Sequence, residues 1–150
     1  MVIREAIRED VSAIVALLAD DGIGRGRERI GDATYLQAFD RMSAQPQNVY
    51  MVVEEDGEIL ACLQYTVIHG MSRAGASRAQ IESVRVASSY RGLGIGERLL
   101  EAAIDRARSD DCALVQLTTD KTRDRAERFY NRLGFQTTHH GMKLTLDQER

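Results

Sequence analysis

A strand, a glycine-rich turn and a helix follow one another without interruption from Val84 to Leu100, in the run V-R-V-A-S-S-Y-R-G-L-G-I-G-E-R-L-L. Ile81, Val84 and Val86 supply an apolar, β-branched run. Gly92, Gly94 and Gly96 then fall within five positions, and Leu99, Leu100, Ala103, Ile104 and Ala107 recur at helical spacing. Glycine permits positive φ and a close approach of backbone to a ligand. The first amides of a helix have no intrahelical acceptor and sit at the positive end of its dipole. A strand–glycine turn–helix unit therefore suits an anion, phosphate above all. Arg91, immediately before the glycines, adds charge.

Two familiar phosphate loops are excluded by spacing. A P-loop ends in Gly-Lys-Ser/Thr, and Gly94-Ile95-Gly96-Glu97 stands there instead. A dinucleotide fingerprint reads G-x-G-x-x-G with an acidic residue ~20 positions on, which Gly92-Leu93-Gly94-Ile95-Gly96 does not match. What Arg91-Gly92-Leu93-Gly94-Ile95-Gly96 does resemble is the R-x-x-G-x-G acyl-CoA signature of the GNAT superfamily of N-acyltransferases. The resemblance continues downstream. Ala113-Leu114-Val115-Gln116-Leu117 is a further strand-like run, and Ala126-x-x-Phe129-Tyr130-x-x-Leu133-Gly134-Phe135 looks like the family's A-x-x-F-Y-x-x-L-G-F block. The two motifs lie in the family's order between Ile81 and Phe135; the first 45 residues carry no comparable signature.

The remainder of the chain fits one domain over residues 1–150. Its length suits a single core. With 43% hydrophobic and 29% charged residues it reads as an ordinary soluble globule. Twenty basic against 23 acidic residues give −3, so no overall field favours nucleic acid or an anionic membrane. No apolar run approaches the ~20 residues of a membrane span, and no signal-peptide core opens the chain. These absences point to the cytoplasm. Cys62 and Cys112 each sit in an apolar run and read as buried thiols rather than a disulfide framework. His69, His139 and His140 lack partners at metal-ligand spacing, so no metal is expected.

In chain order, Val2-Ile3-Arg4 predicts a short strand, and Asp10 the N-cap of a helix carrying Val11, Ile14, Val15, Leu17 and Leu18 on one stripe. Gly22, Gly24, Gly26 and Gly31 interleave with Arg25, Arg27 and Arg29 in a loop. Tyr35, Leu36, Phe39 and Met42 predict a second helix, ending near Pro46. Tyr50–Val53 and Ile59–Ile68 flank Asp56-Gly57, a hairpin turn signal. A further strand is expected after the Tyr130 helix, placing His139 and His140 on its opposite faces. The fold class is mixed α/β. The resemblance makes it a single GNAT-like domain with a central mixed, mostly antiparallel twisted sheet and about four helices.

The same resemblance implies acetyl-CoA as the cofactor, with the amides of Gly92, Leu93, Gly94, Ile95 and Gly96 holding its pyrophosphate. It implies main-chain donors near Val84 for the thioester carbonyl and Val86 for the pantetheine arm; both side chains also suit core packing. Glu82 shares strand alternation with Val84 and Val86, which predicts all three on one face. A carboxylate there is either a general base, as in the phosphinothricin-type branch, or half of a salt bridge. Tyr130 shares a helical stripe with Ala126, Phe129 and Leu133 and is either a core aromatic or the acid that protonates the leaving thiolate. Many relatives carry Asn three residues before the alanine, where this chain has Arg123. Arg123 cannot accept hydrogen bonds, and either meets a coenzyme phosphate or covers the helix start. The implied activity is acetyl transfer to a primary amine of a small molecule or peptide, with a homodimer as the family-level expectation. The alternative is a non-catalytic acyl-CoA-binding sensor, which needs the glycine loop but neither Glu82 nor Tyr130.

Overall fold

A computed structural model describes residues 1–20, 26–120 and 124–146. The chain divides into two compact units, Met1–Leu117 and Thr118–Arg150.

The first unit is a five-stranded sheet in the order β1-β2-β3-β4-β5: β1 Val2–Glu5, β2 Asn48–Glu55, β3 Glu58–Ile68, β4 Ser77–Val86 and β5 Cys112–Leu117. The first three pairings are antiparallel, and β4 with β5 is parallel. The β2–β3 hairpin turns at Asp56-Gly57, both with positive φ (51° and 80°). Positive φ at both central residues matches the right-handed twist of the flanking strands, which is why Asp-Gly is so strong a hairpin signal. Helices α1 (Val11–Ala19) and α2 (Thr34–Ser43) precede the hairpin. A single turn, α3 (Ser72–Gly75), interrupts the β3–β4 connection, with Arg73 and Ala74 in the left-handed region. Helix α4 (Ile95–Ser109) links β4 to β5. A crossover helix is what a parallel strand pair requires.

The core follows the apolar stripes. Ile14 and Leu17 of α1 pack with Val52 and Cys62 on one sheet face. Leu99, Leu100, Ala103 and Ala107 of α4 are buried, as are Leu63, Tyr65 and Ile81 of the sheet. The register puts Leu63, Tyr65 and Ile81 on the face opposite Cys62. Burial pushes the Cys62 thiol up to about 12. Cys112 is half-buried, and both cysteines are free.

Asp10 stands at the α1 N-cap position but makes no side-chain cap bond to that helix. Its carboxylate accepts the Ile7 amide at 2.8 Å and both ends of the Arg4 guanidinium at 2.7 and 3.0 Å. The charged, bidentate partner outcompetes a single amide. The hydrogen bond from Arg4 holds the Asp10 carboxyl below its ordinary range. A carboxyl depressed on folding adds stability above its unfolded pKa of about 3.9, and this is lost as pH falls through the lower folded value. Asp10→Ala is therefore expected to cost about 2 kcal/mol at neutral pH, because it removes one of the two carboxylates that Arg4 pairs with and leaves Glu54 alone against a partly buried guanidinium. Thermal melts from pH 7 to pH 3 should show the gap from wild type closing as the solution acidifies.

The second unit carries α5 (Asp124–Arg132). Gly134, at φ 98°, ends it in the left-handed region, and the Phe135 amide bonds back to the Tyr130 carbonyl at 3.1 Å. That is the C-cap that Gly-Phe predicts. The strand expected after it is absent among the described residues: 135–146 join no ladder, and Met142, Leu144 and Leu146 are exposed. His139 and His140 are both exposed and take no opposite-face placement. Alternation in Met142-Lys143-Leu144-Thr145-Leu146 is a strand pattern, but only a partner's hydrogen bonds make a strand. Among the described residues no helix is long and apolar enough to cross a membrane.

Candidate acyl-coenzyme A site

The site is built where β4 parts from β5. Their ladder ends at Ile81 and Leu117, while β4 continues against β3 to Val86. On the β5 side, the main chain of 82–86 therefore has no ladder partner among the described residues. A strand edge left in this state offers donors and acceptors to an extended ligand.

A bulge reshapes the same segment. Cys62 pairs with Arg85 and Gln64 with Glu82, so three steps along β4 oppose two along β3. Ser83, at φ 54°, takes up the extra residue in the left-handed region. Extra residues of this kind re-aim side chains. The expectation that Glu82, Val84 and Val86 share a face is thereby overturned. Glu82 stands on the face of Gln64 and Cys62, whereas Val86 pairs with Ala61 on the other. Glu82 is exposed and, among the described residues, forms no ion pair, so the salt-bridge alternative has no partner there. Burial pushes the nearby Tyr50 phenol up to about 12.

Beyond β4, a short 3-10 turn (Ser88–Tyr90) leads into the glycines. Gly92 and Gly94 both have positive φ, 79° and 80°, and a Cβ built on either meets no atom within 4 Å. Both glycines thus face open space in a conformation that L side chains avoid. Gly94 is the N-cap of α4, and no side chain caps that helix. Leu93 is 68% exposed, while Ile95 is 5% exposed and anchors the helix start in the core. Gly96 lies in the first turn of α4. A glycine turn, uncapped helix amides and an open strand edge together fit an extended, pyrophosphate-bearing coenzyme.

Arg91 is held locally. Its Nε donates to the Val86 carbonyl at 3.1 Å and an Nη to the Asp20 carbonyl at 2.8 Å, with the Asp20 carboxylate 3.9 Å away. Asp20 also accepts the Ser88 amide at 3.2 Å. Sequence reasoning passed over Asp20. The signal was there: an acidic residue at the C-terminal end of α1 opposes the helix dipole and needs a cationic partner. Since Arg91 is committed to Val86 and Asp20, Arg91→Ala is expected to weaken coenzyme binding only a few-fold. The deficit should shrink at high salt, as calorimetric titrations at two ionic strengths would show.

In the second unit Tyr130 packs edge-on against Phe129 and Phe135, with ring centroids 5.3 and 5.8 Å apart. Arg123 and Arg25 fall outside the described residues. Arg27 pairs with Glu28 and Arg29 with Asp32. Among the described residues, no three His, Cys, Asp or Glu side chains are grouped to hold a metal.

Comparison with known proteins gives consistent relatives. The model of the acetyltransferase (GNAT) family matches residues 13–135, a span that crosses both compact units. The N-alpha-acetyltransferase RimI of Mycobacterium tuberculosis is 31% identical over 99 residues, 66% of this chain and 59% of that protein. The glucosamine 6-phosphate N-acetyltransferase of Trypanosoma brucei brucei is 31% identical over 90 residues, 60% of this chain and again 59% of that protein. In both, the matched region thus spans less than two thirds of the relative. Among solved structures, a transcriptional regulator from Bacillus halodurans shares 42% identity at a TM-score of 0.94, covering 97% of this chain and 99% of that one.

Proposed function

Because this chain belongs to the acetyltransferase (GNAT) family, we propose that it transfers an acetyl group from acetyl-CoA to the primary amine of a small molecule or peptide. The observation that carries this is the freed edge of β4 running into a positive-φ glycine turn at the α4 N-terminus. Residues 1–150 work as one cytoplasmic acyltransferase domain, a reading supported by a family match that spans both units.

The coenzyme, when bound, supplies the acetyl thioester. The amides of Gly92 to Gly96 hold the pyrophosphate, and the open main chain at Val84 and Val86 holds the arm. A main-chain donor near Val84, aimed where negative charge develops on the thioester oxygen, contributes about 3 kcal/mol. Glu82, exposed and without an ion-pair partner among the described residues, takes a proton from the acceptor ammonium. The amine nitrogen forms the C–N bond as the C–S bond breaks. Of the two protons lost by the ammonium, one passes through Glu82 to solvent. The other ends on the sulfur, delivered by way of the Tyr130 hydroxyl. Phenols in water ionise near pH ~10, close enough to thiols to suit a thiolate leaving group.

Incubation with acetyl-CoA and a panel of amines should release CoA, and CoA at one hundred times its Kd should stabilise the fold by about 2.7 kcal/mol. Absence of both CoA release and stabilisation would overturn the proposal. One observation favours a second reading, a non-catalytic acyl-CoA sensor: the Bacillus halodurans protein at 42% identity is named a transcriptional regulator. A sensor would show the stabilisation without turnover on any amine.

A further inference from the structure

We propose that the acceptor is a small hydroxylated amine, such as an amino sugar or amino alcohol, seated over a row of carboxamides that crosses the sheet beside Glu82. This rests on the acetyltransferase reading above and specifies its substrate class.

The row follows from register. Asn48 pairs with Thr66, Thr66 with Gln80, and Gln80 with Gln116, so four adjacent strands each place one neutral polar side chain on the same face. One level along, Gln64 pairs with Glu82 on that face. Directly opposed residues have Cβ atoms about 4.5–5.5 Å apart, close enough for one small molecule to touch several. The same face is apolar where α1 covers it, at Val52 and Cys62. Along this row it is half-buried and polar instead.

The side chains fix one another. Gln64 Nε2 and Thr66 Oγ1 donate to Asn48 Oδ1 at 2.9 and 3.1 Å, and Gln116 Nε2 donates to Gln80 Oε1 at 2.7 Å. Each bond uses one end of a carboxamide. Among the described residues this leaves the Gln64 and Gln116 carbonyl oxygens as acceptors and the Gln80 amide nitrogen as a donor. Donors and acceptors alternate beside the Glu82 carboxylate, with Arg78 and Arg85 of β4 on the same face. Hydroxyl groups both donate and accept, so they can answer such a mixture. A second ammonium only donates. An alkyl chain would strip the row of water and return no hydrogen bond, an arrangement proteins select against. One recurring way to capture a peptide is main-chain pairing along a strand edge. Here the open edge of β4 is already assigned to the coenzyme arm, and the row lies on a face.

The test measures kcat/KM with acetyl-CoA for glucosamine, serinol, hexylamine and a tripeptide with a free N-terminus. The hydroxylated amines should exceed the other two by tenfold or more. In Gln80→Met, and separately in Gln116→Met on the edge strand, that ratio should fall at least fivefold. The change should appear as a higher acceptor KM, while thermal melts confirm folding. Equal use of hexylamine, preference for the tripeptide, or a ratio unmoved in both folded variants would overturn the inference and leave the acetyltransferase reading standing. Absence of turnover with every amine would overturn both.

Discussion

Tyr130→Phe is expected to lower the rate of acetyl transfer by about 10²–10⁴-fold, the usual contribution of a positioned general acid. The substitution removes one hydroxyl and keeps the ring. The edge-on contacts of that ring with Phe129 and Phe135 therefore survive, and so does the packing of the α5 end. Thermal melts alongside the rates would separate loss of the proton from any loss of structure. Calorimetric titration should find coenzyme affinity retained, since the amides of 92–96 are untouched. Glu82→Gln supplies the complementary signature. It should lower the rate of acetyl transfer by about 10²-fold or more while calorimetric titration finds coenzyme affinity retained. Wild-type rates in Tyr130→Phe would remove the acid from the proposed mechanism. Wild-type rates in both variants would reduce the site to a coenzyme-holding loop.

Gly94→Val is expected to act twice. Gly94 has φ 80° and ψ 7°, a left-handed conformation that a β-branched residue adopts only under strain. Such strain costs about 1–3 kcal/mol, to be read as a lowered midpoint in denaturant. No described atom lies within 4 Å of the added Cβ, so the Cβ itself meets open space. The space it enters is the one proposed for the pyrophosphate. Coenzyme affinity should therefore fall more than tenfold, over about 1.4 kcal/mol of binding energy. Gly57→Val separates the two effects. Gly57 has the same φ of 80° and the same open surroundings, but lies in the β2–β3 turn. It should reproduce the loss of stability and spare coenzyme binding. A folded Gly94→Val protein that binds CoA like wild type would show that the loop does not hold the pyrophosphate.

What the sequence settled alone is what neighbouring residues settle among themselves. Asp56-Gly57 requires two positive φ values whatever lies elsewhere, and the hairpin turns there. The stripe from Leu99 to Ala107 buries one face of a helix, because 3.6-residue periodicity is intrinsic to the helix. The glycines announce a turn that only they can make, and Gly134-Phe135 caps α5 through bonds spanning a few residues. Pairing between distant segments decided the rest. The side of the sheet on which Glu82 stands depends on a bulge at Ser83. That bulge exists only as a mismatch of step between β3 and β4, and nothing in the alternation of Ile81, Val84 and Val86 displays it. Arg91 meets Val86 and Asp20 because the chain folds the end of α1 against the β4–α4 turn, 71 positions apart in sequence. The carboxamide row has no spacing at all in one dimension. Asn48, Thr66, Gln80 and Gln116 become neighbours only when four strands fall into register. The alternating segment at 142–146 is the converse case, for its pattern is local, and a strand requires hydrogen bonds that only a partner in space can supply.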